Sequence, residues 1–126
     1  MARGLNRGEI WWYRFSSPDK KRPVVILMRQ EVIDLLHSVI VAPVTSTIRG
    51  IPSEVTVGIS EGLKHGSVVN LDRVLTVERS RLSGYIGRLD GEKMRQVCRA
   101  LARAVGCETT SAGSGLTAIS NASGRE

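Results

Sequence analysis

Short apolar runs separated by turn-forming residues make up most of the chain, and this pattern predicts a mainly β protein. Residues 9–15 are rich in aromatic and β-branched types, which favour strands. Residues 23–28 form a continuous apolar run, which predicts a strand buried on both faces. Further strands are predicted at residues 39–44, 54–57, 67–71, 74–77 and 85–89. Residues 30–37 are compatible with one or two helical turns and also with a folded-over loop.

One long helix is predicted between Asp90 and Gly106. Asp90 suits the N-cap, and Glu92 lies in the first turn, where the helix dipole favours a carboxylate. Gly106 suits the C-terminal end. The predicted apolar stripe consists of Met94, Val97, Cys98, Leu101 and Val105. We therefore expect Cys98 to pack in the core.

These elements predict a single domain, a small and strongly bent antiparallel sheet or partial barrel with a C-terminal helix. We expect residues 1–6 to be a flexible arm and residues 7–106 to be the folded domain. Residues 107–126 are predicted to be disordered, because their Ser, Thr, Ala and Gly bury too little surface to offset the entropy of ordering. No stretch approaches the ~20 apolar residues that span a bilayer, and no signal region is present. We therefore expect a cytoplasmic protein without a membrane partner.

The charge of the chain favours a polyanionic partner. The whole sequence carries a formal charge of +6, and residues 1–107 hold seventeen basic and ten acidic residues, a net +7. Nucleic acid is the commonest polyanion inside a cell, although such an excess can also serve solubility alone. The two cysteines lie nine positions apart, outside any Cys/His cluster, so we predict no metal site, no disulfide and no cofactor.

Two predicted strand ends carry residue types that bind phosphate. Arg22 directly precedes a proline, which holds the residue before it extended, so the guanidinium is presented at the mouth of a buried strand. The strand at residues 39–44 leads through a proline to Thr45 and Ser46, with Arg49 close behind. If the two strands are neighbours in the sheet, these groups form one phosphate-binding site. Taken alone, Arg22 would be a surface arginine that pairs with a loop carboxylate.

The histidines and tryptophans admit both functional and structural interpretations. His37 and His65 could serve as an acid–base pair, but both fall in loop segments, so we expect them to be solvated. Trp11 and Trp12 are adjacent in a strand and must point to opposite faces. Either could stack on a base, but we expect one in the core and the other in a dimer contact.

Five segments resemble the MazF/PemK toxins, the ribonuclease halves of bacterial type II toxin–antitoxin pairs. In order they are RGEIWWYRF, KRPVVIL, APVTS, GLKHGSVVNLDRVLTVERSRL and YIGRL, and the resemblance as a whole extends from residue 7 to about residue 106. The resemblance implies an SH3-like, partly open antiparallel barrel with a C-terminal helix, acting as a homodimer. It also implies metal-independent endoribonuclease cleavage of single-stranded RNA, mRNA in particular. A cognate antitoxin is implied as well, with an extended acidic C-terminal segment that occupies the RNA groove.

The resemblance also assigns roles by position. Arg22 matches the arginine of the family's RP motif and Thr45 the threonine of its PxTS motif, the two residues that the family uses for catalysis. Arg73 stands where relatives often have a glutamine that contacts RNA. The predicted RNA-binding residues are Ser46, Arg49, Arg73 and Lys21. The loop at residues 16–21 departs from many relatives, since it is shorter and lacks the glutamate that some carry there.

The implied chemistry is attack of a ribose 2′-hydroxyl on the adjacent phosphorus, which yields a 2′,3′-cyclic phosphate and a 5′-hydroxyl. Arg22 suits the stabilisation of the phosphate, because its fork of donors matches two phosphate oxygens. A guanidinium stays protonated at neutral pH, so the proton acceptor is left unassigned. Two alternatives from other classes remain: a toxin of the same fold that poisons DNA gyrase, and a non-catalytic RNA-binding module.

Overall fold

The chain folds into one antiparallel sheet with a C-terminal helix. The computed structural model describes residues 4–15 and 21–107. The strands are β1 (Glu9–Arg14), β2 (Lys21–Ile26), β3 (Ser38–Thr45), β4 (Glu54–Val57), β5 (Ser67–Asn70), β6 (Leu75–Glu78) and β7 (Leu82–Arg88). The α-helices are α1 (Gln30–Ile33) and α2 (Gly91–Ala104), and short 3-10 turns cover Ile59–Glu61, Leu71–Arg73 and Arg79–Arg81. The predicted mainly β architecture with a C-terminal helix is therefore confirmed, and residues 30–37 begin with a single helical turn.

Strand β3 is central to the sheet, because it pairs with three other strands. Its residues 41–43 pair with β2 on one edge. On the other edge, residues 38–41 pair with β6 and residues 44–45 pair with β5. The sheet order is β4-β5-β3-β2-β1-β7, with β6 beside β3. Every one of these pairs is antiparallel.

Both faces of the central strands are covered by apolar side chains. Val24, Val25 and Ile26 of β2 are each 0% exposed. Because side chains alternate along a strand, Val25 enters the core under α2 while Val24 and Ile26 enter a second core on the opposite face. The prediction that this strand is buried on both faces is confirmed.

Helix α2 begins and ends where its sequence predicts. The Asp90 carboxylate accepts a hydrogen bond from the Lys93 backbone N–H at 2.8 Å, which satisfies a free donor of the first turn. Gly106 follows the helix at φ 79°, a left-handed conformation that glycine adopts without strain. On the exposed face, Arg95 donates to Glu92 at 2.8 Å, and this hydrogen bond lowers the pKa of the Glu92 carboxyl.

The buried face of α2 differs from the predicted stripe. Val97 and Ala100 are buried, and Met94, Leu101 and Ala104 pack against the core. The expected burial of Cys98 is wrong, since its side chain is exposed and its Sγ accepts a hydrogen bond from Arg7 at 3.3 Å. The observed face includes Ala100 and Ala104, and small alanines carry little weight in a pattern drawn from large apolar residues.

Leu5 and Asn6 pack onto the folded domain. Leu5, which the predicted arm includes, is only 5% exposed in the second core. The backbone N–H and the side-chain amide of Asn6 both donate to the Glu9 carboxylate, at 3.0 and 3.1 Å. Residues 1–3 of the predicted arm, residues 16–20 of the predicted turn and residues 108–126 of the predicted tail lie outside the described residues. Within residues 4–15 and 21–107, the helices are too short or too polar to cross a bilayer.

Two glycines let the sheet curl into a partly open barrel. A Cβ on Gly87 of β7 would lie 1.9 Å from the carbonyl oxygen of Glu61, and one on Gly62 would lie 2.7 Å from the carbonyl oxygen of Ile86. Gly62 also has φ 99°. The register between β1 and β7 shifts at two points, which bends the edge of the sheet. These features bring β7 against the turn that follows β4.

Substitution of Gly87 by alanine is expected to destabilise the protein by about 3 kcal/mol, because the added methyl overlaps a backbone carbonyl. Urea unfolding of the variant and the wild type measures the difference. Gly84→Ala in the same strand is the control, since its nearest contact would be a side-chain carbon of Trp12 at 3.6 Å. Equal stability of the two variants would contradict the proposed backbone contact.

Candidate nucleic-acid interface

The register between β2 and β3 brings Arg22 and Thr45 to the same place. Val24 of β2 pairs with Pro43 of β3. Continued by two residues, this antiparallel register sets Arg22 opposite Thr45. On its other edge Arg22 pairs with Tyr13 of β1, so its backbone is fixed within the sheet. Both side chains line the same surface depression.

This depression consists of two adjoining clefts, which share Arg22, Val44, Thr45 and Thr47 as lining residues. The first cleft has a volume of about 820 Å³, and its further lining includes Phe15, Arg49, Asn70, Asp72 and Arg73. The second has a volume of about 630 Å³, and its further lining includes Trp12, Lys21, Ser46, Lys64, His65 and Tyr85. The shared residues therefore form the junction between the two clefts.

The two clefts are strongly basic. Among the described residues, five lysines and arginines and one carboxylate, that of Asp72, line them. The guanidinium groups of Arg22, Arg49 and Arg73 form no hydrogen bond or ion pair with any other residue that the structure describes. Their positive charge is therefore available to an anionic ligand.

The loop that follows β3 is held by hydrogen bonds to the side chains of Thr45 and Glu54. Thr45 Oγ1 accepts a hydrogen bond from the Thr47 backbone N–H at 3.1 Å, which leaves the Thr45 hydroxyl proton able to donate. Glu54 Oε1 accepts from the backbone N–H groups of Arg49 and Gly50, each at 3.0 Å. The hydroxyl at the junction and the arginine beyond it are thus attached to a loop of defined shape.

A second set of hydrogen bonds fixes the wall of the first cleft. Asn70 Oδ1 accepts from the Asp72 backbone N–H at 2.9 Å. Ser53 Oγ donates to Asp72 Oδ2 at 2.6 Å, and the Leu71 N–H donates to the Ser53 carbonyl at 2.9 Å. Asn70 and Ser53 are themselves buried. The 3-10 turn that carries Asp72 and Arg73 is therefore tied to both neighbouring segments.

The structure brings the predicted site residues together around the junction. Arg22 and Thr45 line both clefts. Lys21 and Ser46 line the second cleft, and Lys21 Nζ lies 5.7 Å from the ring centroid of Trp12. The remaining two, Arg49 and Arg73, line the first cleft.

Sequence reasoning missed several lining residues. His65 is exposed, as expected, but it lies on the wall of the second cleft. Trp11 is 7% exposed in the core, whereas Trp12 is half-buried and lines that same cleft. Asp72 lines the first cleft beside Arg73, and its place directly before that predicted RNA-binding residue is the one sequence signal that could have found it.

Comparison with known proteins gives one consistent result. A family model described as a PemK-like, MazF-like toxin of type II toxin–antitoxin systems matches residues 6–105. A protein of Mycobacterium tuberculosis named "Probable endoribonuclease MazF5" is 43% identical over 102 residues, which are 80% of this chain and 93% of that protein. "Endoribonuclease MazF3" of the same species is 45% identical over 71 residues, 56% of this chain and 69% of that protein.

Solved structures agree. Mycobacterium tuberculosis toxin MazF-mt6 superimposes with a TM-score of 0.74 at 35% identity and covers 79% of this chain and 98% of its own. A mycobacterial endoribonuclease, solved in complex with its cognate antitoxin, gives a TM-score of 0.76 at 25% identity, and the match covers 85% of this chain and 100% of that one. Since the family model spans most of the sequence and a relative of similar length is 43% identical, the chain belongs to the PemK-like, MazF-like toxin family of type II toxin–antitoxin systems.

Proposed function

We propose that this protein is an endoribonuclease toxin that cleaves single-stranded RNA, mRNA in the cytoplasm, without a metal ion. One observation carries the proposal. Arg22 and Thr45 meet at the junction of two clefts, and the charged residues that line these clefts are five cations and one carboxylate. The endoribonuclease names of similar mycobacterial proteins support it. The scissile phosphate would lie at the junction, with the flanking nucleotides in the two clefts.

The lining of the clefts suits a single strand. Phe15 lies in the first cleft, and Trp12 and Tyr85 lie in the second. Aromatic side chains beside cations are the usual platform for unpaired bases, which stack on the rings while the backbone follows the positive charge. A base-paired strand keeps its bases stacked on each other and cannot use such surfaces.

In the proposed reaction the 2′-oxygen forms a bond to phosphorus, and the bond from phosphorus to the 5′-oxygen breaks. The 2′-hydroxyl loses its proton and the leaving 5′-oxygen gains one, which yields a cyclic phosphate and a 5′-hydroxyl. The nucleophile belongs to the substrate, so the protein needs only to align the strand and neutralise the charge that develops on the phosphate oxygens. A metal-bound water is therefore unnecessary.

The residues at the junction match these tasks. The Arg22 guanidinium can donate to two phosphate oxygens at once, and the hydroxyls of Thr45 and Ser46 can donate to the same group. Because a guanidinium stays protonated at neutral pH, Arg22 acts as a donor to the phosphate and towards the leaving oxygen, and does not act as the proton acceptor. A preorganised donor of this kind contributes about 3 kcal/mol in other enzymes.

Wild-type protein is expected to cleave single-stranded RNA in excess EDTA, and Arg22→Ala is expected to cut at least about a hundredfold more slowly. Fragment analysis with end-labelled RNA measures both rates, and sequencing of the 5′ ends confirms cleavage at defined sites. Arg95→Ala is the matched control, because Arg95 is an exposed arginine on α2 that pairs with Glu92. Intact RNA with folded wild-type protein would refute the proposal, as would equal rates for the two variants.

We also propose that an antitoxin inhibits the protein by occupying the same clefts with an extended acidic segment. A similar mycobacterial endoribonuclease has been solved in complex with its cognate antitoxin. An acidic peptide that folds on binding complements a groove lined by five cations. RNA and antitoxin would then compete, and salt would weaken both.

Binding of a single-stranded RNA oligonucleotide is expected to weaken as salt rises. If each of the five cleft cations neutralises one phosphate, the slope of log K against log salt is about −3.5, since single strands give roughly 0.7 for each contact. Arg49→Ala should reduce this slope by about 0.7. Fluorescence anisotropy over a salt series measures it. An affinity that does not change with salt would contradict a phosphate-binding groove.

The homodimer that the family implies stays a prediction. Large apolar side chains on the surface, including Leu35 at 77% and Ile59 at 78% exposure, are available for such a contact. Analytical ultracentrifugation at micromolar concentration is expected to give twice the mass of the chain. A monomer mass at every concentration up to the millimolar range would contradict it.

A further inference from the structure

One carboxylate stands out in the basic clefts. Asp72 is the single acidic residue among the described residues that line either cleft, and it lies beside Arg73 on the wall of the first. A carboxylate repels phosphate, so it weakens the attraction that the five cations provide. Its presence there is explained if it faces a part of the RNA that donates hydrogen bonds.

The hydrogen bonds of Asp72 leave one oxygen for a ligand. Oδ2 accepts from Ser53 Oγ at 2.6 Å, and the backbone N–H of Asp72 donates to Asn70 Oδ1 at 2.9 Å. Oδ1 of Asp72 receives no hydrogen bond from any residue that the structure describes. An ionised carboxylate only accepts hydrogen bonds, so a ligand group that contacts this exposed oxygen favourably must be an N–H or O–H donor.

Asn70 supplies the complementary group on the same wall. Because its Oδ1 accepts from a backbone N–H, its Nδ2 must be the donor end of the amide. This NH₂ group has no partner among residues 4–15 and 21–107, although Asn70 is only 8% exposed and lines the first cleft. A buried polar group without a partner marks a position where a ligand completes the hydrogen bonding.

We propose that Asp72 and Asn70 together read the base edge of one nucleotide and select cytosine over uracil there; this rests on the proposed RNA function. Cytosine presents an amino donor at N4 beside an acceptor at N3, which matches the Asp72 oxygen and the Asn70 NH₂. Uracil has the same shape but the opposite polarity, a carbonyl at O4 beside an N–H at N3. In the same pose it sets oxygen against oxygen and N–H against N–H.

Two variants distinguish a base-reading role of Asp72 from a purely structural one. Asp72→Asn keeps an oxygen that can accept from Ser53, but replaces the open acceptor by an NH₂ donor. Ser53→Ala removes the same hydrogen bond from the other side and leaves the carboxylate in place. If the carboxylate reads the base, the first variant alone changes the base preference. If Asp72 only holds the wall, Asp72→Asn leaves the base preference unchanged because it keeps this hydrogen bond, whereas Ser53→Ala, which removes the bond, changes the preference.

The experiment selects bound sequences from a random pool of 2′-fluoro RNA, which lacks the 2′-hydroxyl nucleophile and so reports binding without cleavage. At one position, wild-type protein and Ser53→Ala are expected to favour cytosine over uracil roughly tenfold. Asp72→Asn is expected to lose or reverse this preference at that position alone. Identical preferences for wild type and Asp72→Asn would overturn the inference, and so would an equal change in both variants.

Cleavage of ordinary RNA is measured in parallel and separates the two proposals. A wild-type protein that binds the pool with the cytosine preference but leaves ordinary RNA intact would refute the proposed activity and support the base-reading role. Cleavage by the wild type, together with an Asp72→Asn variant that cuts slowly at unchanged sequences, would refute the base-reading role and retain the activity.

Discussion

The pairing of β2 with β3 is the constraint on which the candidate site depends. Three consecutive residues of β2 are 0% exposed and alternate between two cores, so a shift in register would repack both cores and draw the exposed Lys21 and Arg22 towards burial. The register is therefore fixed by burial. Arg22 and Thr45 lie at the ends of the two strands, so this register places them opposite each other.

The walls around this point combine attraction with discrimination. The cations of the two clefts attract any phosphate chain and carry no sequence information. Asn70 at the end of β5 and Asp72 in the following turn present hydrogen-bonding groups of defined polarity. A 2.6 Å hydrogen bond from Ser53 holds the Asp72 carboxylate. On the opposite side, the close contact of Gly62 with β7 brings an aromatic and cationic wall to the same junction. In the proposed function, binding strength and base selection would thus depend on different residues.

Membership of the toxin–antitoxin family also suggests how the basic clefts are kept covered. If the clefts bind RNA as proposed, another molecule must cover them to restrain the activity. An extended acidic segment satisfies this requirement, because it offers carboxylates to the same cations and orders only when bound. The arginines that hold no partner within the described chain are the groups for which RNA and such a segment would compete.

The sequence by itself determined the elements: the strands, the N-cap of α2 at Asp90, and the phosphate-binding residue types at the ends of β2 and β3. These follow from local periodicity and turn chemistry, which each short segment carries alone. The tertiary structure decided which surfaces meet. Cys98 lies outside the core because α2 turns its alanines towards the sheet. Trp12, His65 and Asp72 line the clefts because the sheet curls into a partial barrel. Contacts between segments far apart in the chain depend on how the whole sheet bends and closes, and local patterns do not encode that bend.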